Sequence, residues 1–303
     1  MALSERLVRT YVRRFGTPDI IHAQAALWAG PVAVRTAKAL SRPSVVTEHS
    51  TAVLRGALRP DEQQAAVAVY READAVLAVS QALASVINSL SGIDRCQVVP
   101  NFIDFQFFTL PPVPRRQEPF TFLCVCNLIR IHKRVDRLIR AFARSSAVRP
   151  GTRLVIVGEG PDEAALRALA DQCGVAQHVE FAGGLRPDAV RARMWQANAF
   201  VLPSAFETFG VVLVEALATG IPVISTRSGG PEDIVEPGLG VLVDQEDEAG
   251  LTDAMVAVAS GSFSEQHLRD RAAGRFSFEK VAQDLLGVYD RVFDRTGRPA
   301  AHQ

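Results

Sequence analysis

The sequence predicts an α/β fold made of two Rossmann-like halves facing a ligand cleft. Three observations carry that prediction. Short apolar runs alternate with helical patterns along the 303 residues. Most of the runs are apolar and β-branched on consecutive positions, as in parallel strands covered on both faces. An aperiodic, proline-rich stretch, 104–118 (DFQFFTLPPVPRRQE), separates four of the runs from six.

The first four strand candidates are DIIHA (19–23), SVVTE (44–48), AVLAVS (75–80) and QVVP (97–100). The other six are TFLCVC (121–126), RLVIVG (153–158), HVEFAG (178–183), AFVLP (199–203), PVIST (222–226) and GVLVD (240–244). Between them lie amphipathic helices such as 134–145, with Val135, Leu138, Ile139 and Phe142 on one face. GEGP (158–161) reads as a strand-to-helix turn with Pro161 at the first helical position. SGGPEDIV (228–235) places Gly229 and Gly230 before another helix start. The predicted organisation is an N-terminal half (1–103), a linker (104–118), a C-terminal half (119–275) and a last helical segment (276–303) that returns toward the first half. In such a pair the ligand lies at the carboxyl ends of the strands.

Composition narrows the function. Apolar residues make up 48% and the formal net charge is zero, so bulk electrostatics gives no pull toward nucleic acid or membrane. Cys96, Cys124, Cys126 and Cys173 form no CxxC pair and read as buried thiols. No signal peptide opens the chain and no apolar run is long enough to span a bilayer, so the expected setting is cytoplasmic.

The stretch 206–215, FETFGVVLVE, holds a carboxylate at each end of a largely apolar run. AFVLP ends at Pro203, and VVLVEALAT forms a helix stopped by Gly220 and Pro222. Glu207 therefore sits in the loop, Gly210 at the helix start and Glu215 about one turn inside. The free N–H groups and positive dipole end of such a start suit a phosphate. Glu207 can then hold sugar hydroxyls and Glu215 a ribose diol. The plainer alternative, a capping acid and a solvated helix acid, stays open on spacing alone.

The stretch VLPSAFETFGVVLVEALATGIPVISTRSGGPEDIVEPGLGVLV resembles the donor-binding signature of retaining glycosyltransferases of family 4, whose E-x7-E motif matches Glu207 and Glu215. PDIIHAQ, VVPNFIDFQFF, HKRVDRLIRAF and RLVIVGEGPDEAALRALA resemble further blocks of that family, in order, over about residues 18–295. The resemblance implies a GT-B-like fold, a nucleotide-diphosphate sugar as donor, no bound metal or other cofactor, and transfer of a hexosyl unit to a carbohydrate or lipid-linked hydroxyl acceptor, in cell-envelope polysaccharide or glycolipid synthesis. It implies that Glu207 binds donor sugar hydroxyls, that Phe209, Gly210 and Val211 meet sugar and diphosphate through their backbone, and that Glu215 binds ribose. Lys133 would neutralise the leaving diphosphate. Thirty of the 33 basic residues are arginine, and Lys133 is the only lysine between residues 39 and 279; a compact ammonium is not interchangeable with a guanidinium. The family's Gly-Arg pair before this lysine is replaced by Cys126 and Asn127, and Arg130 is the candidate for the missing charge. His22 matches the histidine facing the donor sugar. His49 ends the next strand on the same edge, with contact to phosphate or acceptor and a purely structural role equally open.

The family begins with a strand, a glycine-rich loop and two more strand–helix units. Here Met1 opens into a helix, so about 90 residues are expected to be absent, at about 30 per unit. The N-terminal half is thus expected to be incomplete, with an open edge on the DIIHA strand. Three explanations compete: a misplaced start, a second chain supplying the strands, or a decayed remnant that binds nucleotide sugar without transfer. A non-catalytic binding module or one subunit of a split enzyme is accordingly the alternative to an active transferase. A phosphorylase is a remoter one. The opening helix has an apolar stripe (Leu3, Leu7, Val8, Tyr11, Phe15) and carries Arg6, Arg9, Arg13 and Arg14 against Glu5. It reads as an ordinary surface helix, with peripheral contact to the inner face of the cell membrane as the second reading.

Overall fold

The computed structural model describes residues 2–149 and 151–296. The chain divides into two compact units, Met1–Asn101 with Glu279–Gln303, and Phe102–Phe278. In chain order unit 1 holds α1 (Ala2–Phe15), β1 (Ile21–Gln24), α2 (Ala29–Leu40), β2 (Ser44–Glu48), α3 (Thr51–Leu54), α4 (Pro60–Glu72), β3 (Ala75–Ala78), α5 (Gln81–Ser91) and β4 (Gln97–Val98). Its sheet is parallel, in the order β1-β2-β3-β4. Strands β2 and β3 are buried on every residue, which is why they read as unbroken apolar runs. Leu7, Tyr11 and Phe15 of α1 are exposed; the side chain of Leu3 and residues 297–303 lie outside the described parts.

Unit 2 holds β5 (Thr121–Val125), α6 (Arg130–Lys133), α7 (Val135–Val148), β6 (Arg153–Val157), α8 (Glu163–Gln172), β7 (Val179–Phe181), α9 (Pro187–Gln196), β8 (Ala199–Leu202), α10 (Val211–Ala218), β9 (Val223–Thr226), β10 (Gly240–Val243), α11 (Glu248–Ser260) and α12 (Glu265–Phe276). Helix α13 (Phe278–Thr296) follows, and its Val281, Val288 and Val292 pack with Val45, Leu77 and Val99 in the core of unit 1. The helical segment predicted from 276 thus begins two residues later, after a break at Ser277.

All six strands of unit 2 are parallel, in the order β10-β9-β8-β5-β6-β7. The chain starts in the middle with β5, runs outward through β6 and β7, then returns to add β8, β9 and β10 on the other side. The reversal leaves a crevice at the carboxyl ends of β5 and β8. Phe122, Leu138, Phe142, Leu154, Ile156 and Met255 are at most 1% exposed and form the core beneath it. Each such side chain contributes about 1.5–3 kcal/mol by leaving water.

The stretch 104–118 belongs to unit 2 and is held there by arginines and an indole. Arg115 donates to the carbonyls of Thr219 and Gly220, Arg269 to that of Phe105, and Trp195 Nε1 to that of Thr109. Prolines remove its periodicity, but its carbonyls find partners on the body of the unit.

Candidate functional site

Two loops meet at the β5/β8 crevice. The loop after β5 passes Cys126, Asn127 and Leu128 into the short α6, which ends at Lys133. The loop after β8 runs from Pro203 to Gly210. The amide of Ala205 donates to the His132 carbonyl at 2.8 Å, and Lys133 Nζ lies 2.5 Å from Glu207 Oε1. Both side chains of this ion pair are partly buried. Lys133 and Glu207, 74 residues apart in sequence, are therefore brought together.

The main chain of Glu207 is fixed on its other side. Its N–H donates to the Ser228 carbonyl at 2.9 Å, and its own carbonyl accepts from Gly230 N at 2.8 Å. Gly230 packs so closely on the backbone of Phe209 that a Cβ there has no room. Gly229 N donates to the Glu232 carboxylate. The predicted SGGPEDIV turn thus ends in a short 3-10 segment, Gly230–Asp233, braced against the Glu207 loop. Phe209 is buried, Gly210 has φ 98° in the left-handed region, and Val211 begins α10. No side chain caps that helix start, so its first N–H groups face outward with the positive end of the dipole.

Glu215 sits one turn into α10, half-buried, and its carboxylate has no hydrogen bond or ion pair among the described residues. Burial pushes its pKa up to about 7. At pH 7 such an acid is close to half protonated, so it can donate to one hydroxyl and accept from another.

The GEGP turn has a supporting role. Gly158, at φ 138°, lies against the Cys126 carbonyl where any Cβ would overlap it. Leu128 N donates to the Glu159 carbonyl, and Asp162 accepts from Arg130 N at 2.6 Å. Helix α8 starts at Glu163 with Asp162 as its N-cap, so Pro161 precedes the helix and does not open it: the Asp162 side chain is committed to the neighbouring loop. Arg130 is held by its backbone, while its side chain is exposed with no described partner. All four cysteines are free thiols; Cys124 and Cys126 share a face with Sγ atoms 3.7 Å apart.

In unit 1, His22 and His49 are linked through Gln24, a residue the sequence reading passed over. His49 Nε2 donates to Gln24 Oε1 at 2.7 Å, and Gln24 Nε2 points at His22 Nε2 at 3.4 Å. His22 Nε2 also lies 2.7 Å from the Thr47 hydroxyl, and Nδ1 2.7 Å from the hydroxyl of Tyr289 on α13. Both ring nitrogens of His22 are engaged by neighbours inside unit 1. Burial and then the neighbouring His49 lower its pKa to about 4, leaving a neutral imidazole at pH 7. Burial also lowers His49, with Glu48 opposing. Glu48 is a second residue that sequence reading missed. It is 1% exposed and accepts from the N–H groups of Ala26, His49 and Ser50 and from the Tyr70 hydroxyl. The available signal was a carboxylate closing an otherwise apolar strand.

Among the described residues no cluster of three or more His, Cys, Asp or Glu side chains is placed to hold a metal ion, and no helix is long and apolar enough to cross a membrane.

Comparison with known proteins gives the family. Residues 108–275 match the family described as Glycosyl transferases group 1, and residues 2–107 match Glycosyltransferase Family 4. The chain is 30% identical to the glycogen synthase of Mycobacterium tuberculosis, over 95% of this chain and 74% of that protein. It is 31% identical to the D-inositol 3-phosphate glycosyltransferase of Acidothermus cellulolyticus, over 96% of this chain and 71% of that protein. The Anabaena protein Alr3699/HepE, solved in complex with UDP, superimposes with a TM-score of 0.78 at 22% identity, over 96% of this chain and 82% of that one; that likeness speaks to the fold, which is of the GT-B type. With its switch-point crevice and these matches along both units, the chain belongs to the glycosyl transferases group 1 family.

Proposed function

We propose that this protein is a retaining glycosyltransferase that moves a hexosyl unit from a nucleotide-diphosphate sugar to a hydroxyl of a carbohydrate or lipid-linked acceptor, without a bound metal, in cell-envelope polysaccharide or glycolipid synthesis. The observation that carries the proposal is the Lys133–Glu207 pair, 2.5 Å apart, beside the uncapped start of α10. The N–H groups of α10 and the Lys133 ammonium would receive the diphosphate, Glu207 the sugar hydroxyls and Glu215 the ribose diol. Arg130 would add a second positive charge from the neighbouring loop.

In the step itself, the acceptor oxygen forms a bond to the anomeric carbon on the face from which the diphosphate departs. The C1–O bond to phosphate breaks and its electron pair stays with the diphosphate. The acceptor proton passes to a diphosphate oxygen. The negative charge that grows there is where the fixed cation and amides act. Glu207 is held by Lys133, which suits a hydroxyl-binding role better than attack on carbon. The two curated relatives and the UDP-bound HepE support a nucleotide-sugar donor and a sugar or polyol acceptor. Alongside α1, a groove of about 710 Å³ lined by Val8, Val12, Arg13, Arg35 and Lys38 supports contact of unit 1 with an anionic lipid surface.

Melting curves with UDP, GDP and ADP in EDTA identify the nucleotide, and transfer followed by NMR reads the anomeric configuration of the product. A raised Tm with one nucleotide and a retained configuration is the expected result. Binding without turnover would favour the alternative, a nucleotide-sugar-binding module or one subunit of a split enzyme. Inversion, or activity lost with EDTA and restored by a divalent cation, would overturn the mechanism.

A further inference from the structure

Trp28 is 84% exposed, the most exposed large apolar side chain of the described residues. It stands in the connection from β1 to α2, four residues beyond Gln24. Its backbone has φ 65° and ψ −60°, and Ala29 N donates to the Leu27 carbonyl across it at 2.7 Å. This is a γ-turn of the rare left-handed kind, strained for any residue with a β-carbon. Ala25, three residues earlier, is also in the left-handed region with φ 97°. Two such residues in four do not persist unless the surroundings hold them.

The surroundings do hold them. Ala25 N donates to the Thr47 carbonyl at 2.7 Å, and Ala26 N to the buried Glu48 carboxylate at 3.0 Å. The same carboxylate takes the Tyr70 hydroxyl from α4 and the amides of His49 and Ser50. One buried acid therefore ties down both the loop that carries Trp28 and the loop that carries His49. The apparatus keeps a bare indole in solvent at the carboxyl end of a parallel sheet, where ligands of such sheets lie. On the same edge are Gln24 and His49, joined by a hydrogen bond. An exposed apolar ring at a sheet end that also carries an amide and an imidazole suits a pyranose, whose C–H face stacks on an aromatic ring and whose hydroxyls take polar partners.

The geometry points to Trp28 as a stacking platform for the acceptor sugar, with Gln24 and His49 as its polar edge and Glu48 as the residue that positions the loop. The inference rests on the transfer reading for its ligand class and names the acceptor as a hexose ring.

The test uses the full chain, whose two tryptophans are Trp28 and Trp195. Tryptophan emission is titrated with methyl α-glucoside, methyl α-mannoside, methyl α-galactoside, N-acetylglucosamine and maltose, with glycerol as the control. Trp28→Gly suits the left-handed backbone and is expected to melt at or above the parent; Trp28→Phe keeps a smaller ring. The expected result is a saturable emission change with one or more of the sugars, none with glycerol, and none in Trp28→Gly. In transfer assays the acceptor KM rises about tenfold in Trp28→Gly and less in Trp28→Phe. Silence across the whole panel overturns the platform, as does an equal response in the parent and Trp28→Gly. The titration needs no donor. A chain that binds sugars at Trp28 but no nucleoside diphosphate keeps the platform and loses the transfer reading. A chain that binds the diphosphate but none of the sugars does the reverse.

Discussion

The ammonium of Lys133 and the carboxylate of Glu207 lie 2.5 Å apart across two loops that begin on neighbouring strands, β5 and β8. The contact pins the loops together, and each partner offsets the other's charge. Partly exposed pairs of this kind contribute little to stability, about 1 kcal/mol or less. Loss of either partner is thus expected to leave Tm within a few degrees while turnover collapses. Lys133→Ala and Lys133→Arg are both expected to lower kcat by about 10²–10³-fold, because a guanidinium does not reproduce a compact ammonium at this spot. Steady-state kinetics beside thermal melting separates the two effects. Full activity in Lys133→Arg would refute the role.

Glu215 provides a pH test. Its folded pKa is raised from 4.5 to about 7 by burial. A raised carboxyl binds its proton more tightly folded than unfolded, so its contribution is fully present below pH 4.5 and is lost as pH rises to about 7. Glu215→Gln removes that loss. The variant is expected to be more stable than the parent above pH 7, by about 2 kcal/mol after allowance for partial exposure, and to bind nucleoside diphosphate at least tenfold more weakly. Denaturant melts at pH 5 and pH 8 with calorimetric titration check both halves.

His22 gives the opposite slope. Its folded pKa is lowered from 6.5 to about 4. The unfolded chain binds the proton more readily, so the stabilisation is complete above pH 6.5 and is lost progressively as pH falls to about 4. The measurement is Tm across that interval for the parent and for His22→Asn, and the variant is expected to show the shallower fall.

Gly158 lies against the carbonyl of Cys126 with no space for a methyl group, and at φ 138°. Gly158→Ala is expected to cost about 3 kcal/mol or more and to displace the loop leading to Lys133. Chemical denaturation gives the cost, and diphosphate affinity reports the displacement. An unchanged midpoint would remove the buttress from the account.

Arg130→Ala is the mildest change, since only the backbone of Arg130 is bound. Donor affinity is expected to fall about three- to tenfold, as for one partly screened charge–phosphate contact, with no change in Tm. Isothermal titration at low and high salt distinguishes this charge effect from a packing effect.

Much of this architecture was legible because the strands are covered on both faces. Nine of the ten predicted runs contain their strand, and the tenth, 19–23, overlaps β1, which starts two residues later and runs on to Gln24; the other ends shift by at most two residues, where pairing stops before hydrophobicity does. The β8-to-α10 connection was legible through Pro203 and Gly210 and the end of α10 through Gly220, proline restricting the backbone and the glycines permitting its left-handed turns. Long-range contacts were not. Nothing near His22 announces that Tyr289, 267 residues away, lies at its Nδ1. Glu48 looks like the end of a strand and is the clasp of two loops. Pro161 carries the signature of a first helical residue, yet the capping acid beside it is engaged elsewhere. Such pairings are decided by which loops meet in space, and spacing along the chain does not encode them.

Gly230 offers a substrate no side chain, yet the peptide of Phe209 rests on it so closely that the two turns form a single rigid jig. The amides at the head of α10 are therefore set as much from the end of β9 as from their own loop. Reprogramming the chain for another sugar by randomising 204–210 alone would press against a fixed wall at 229–230. Libraries that vary both turns together are the ones in which a new specificity has room to form.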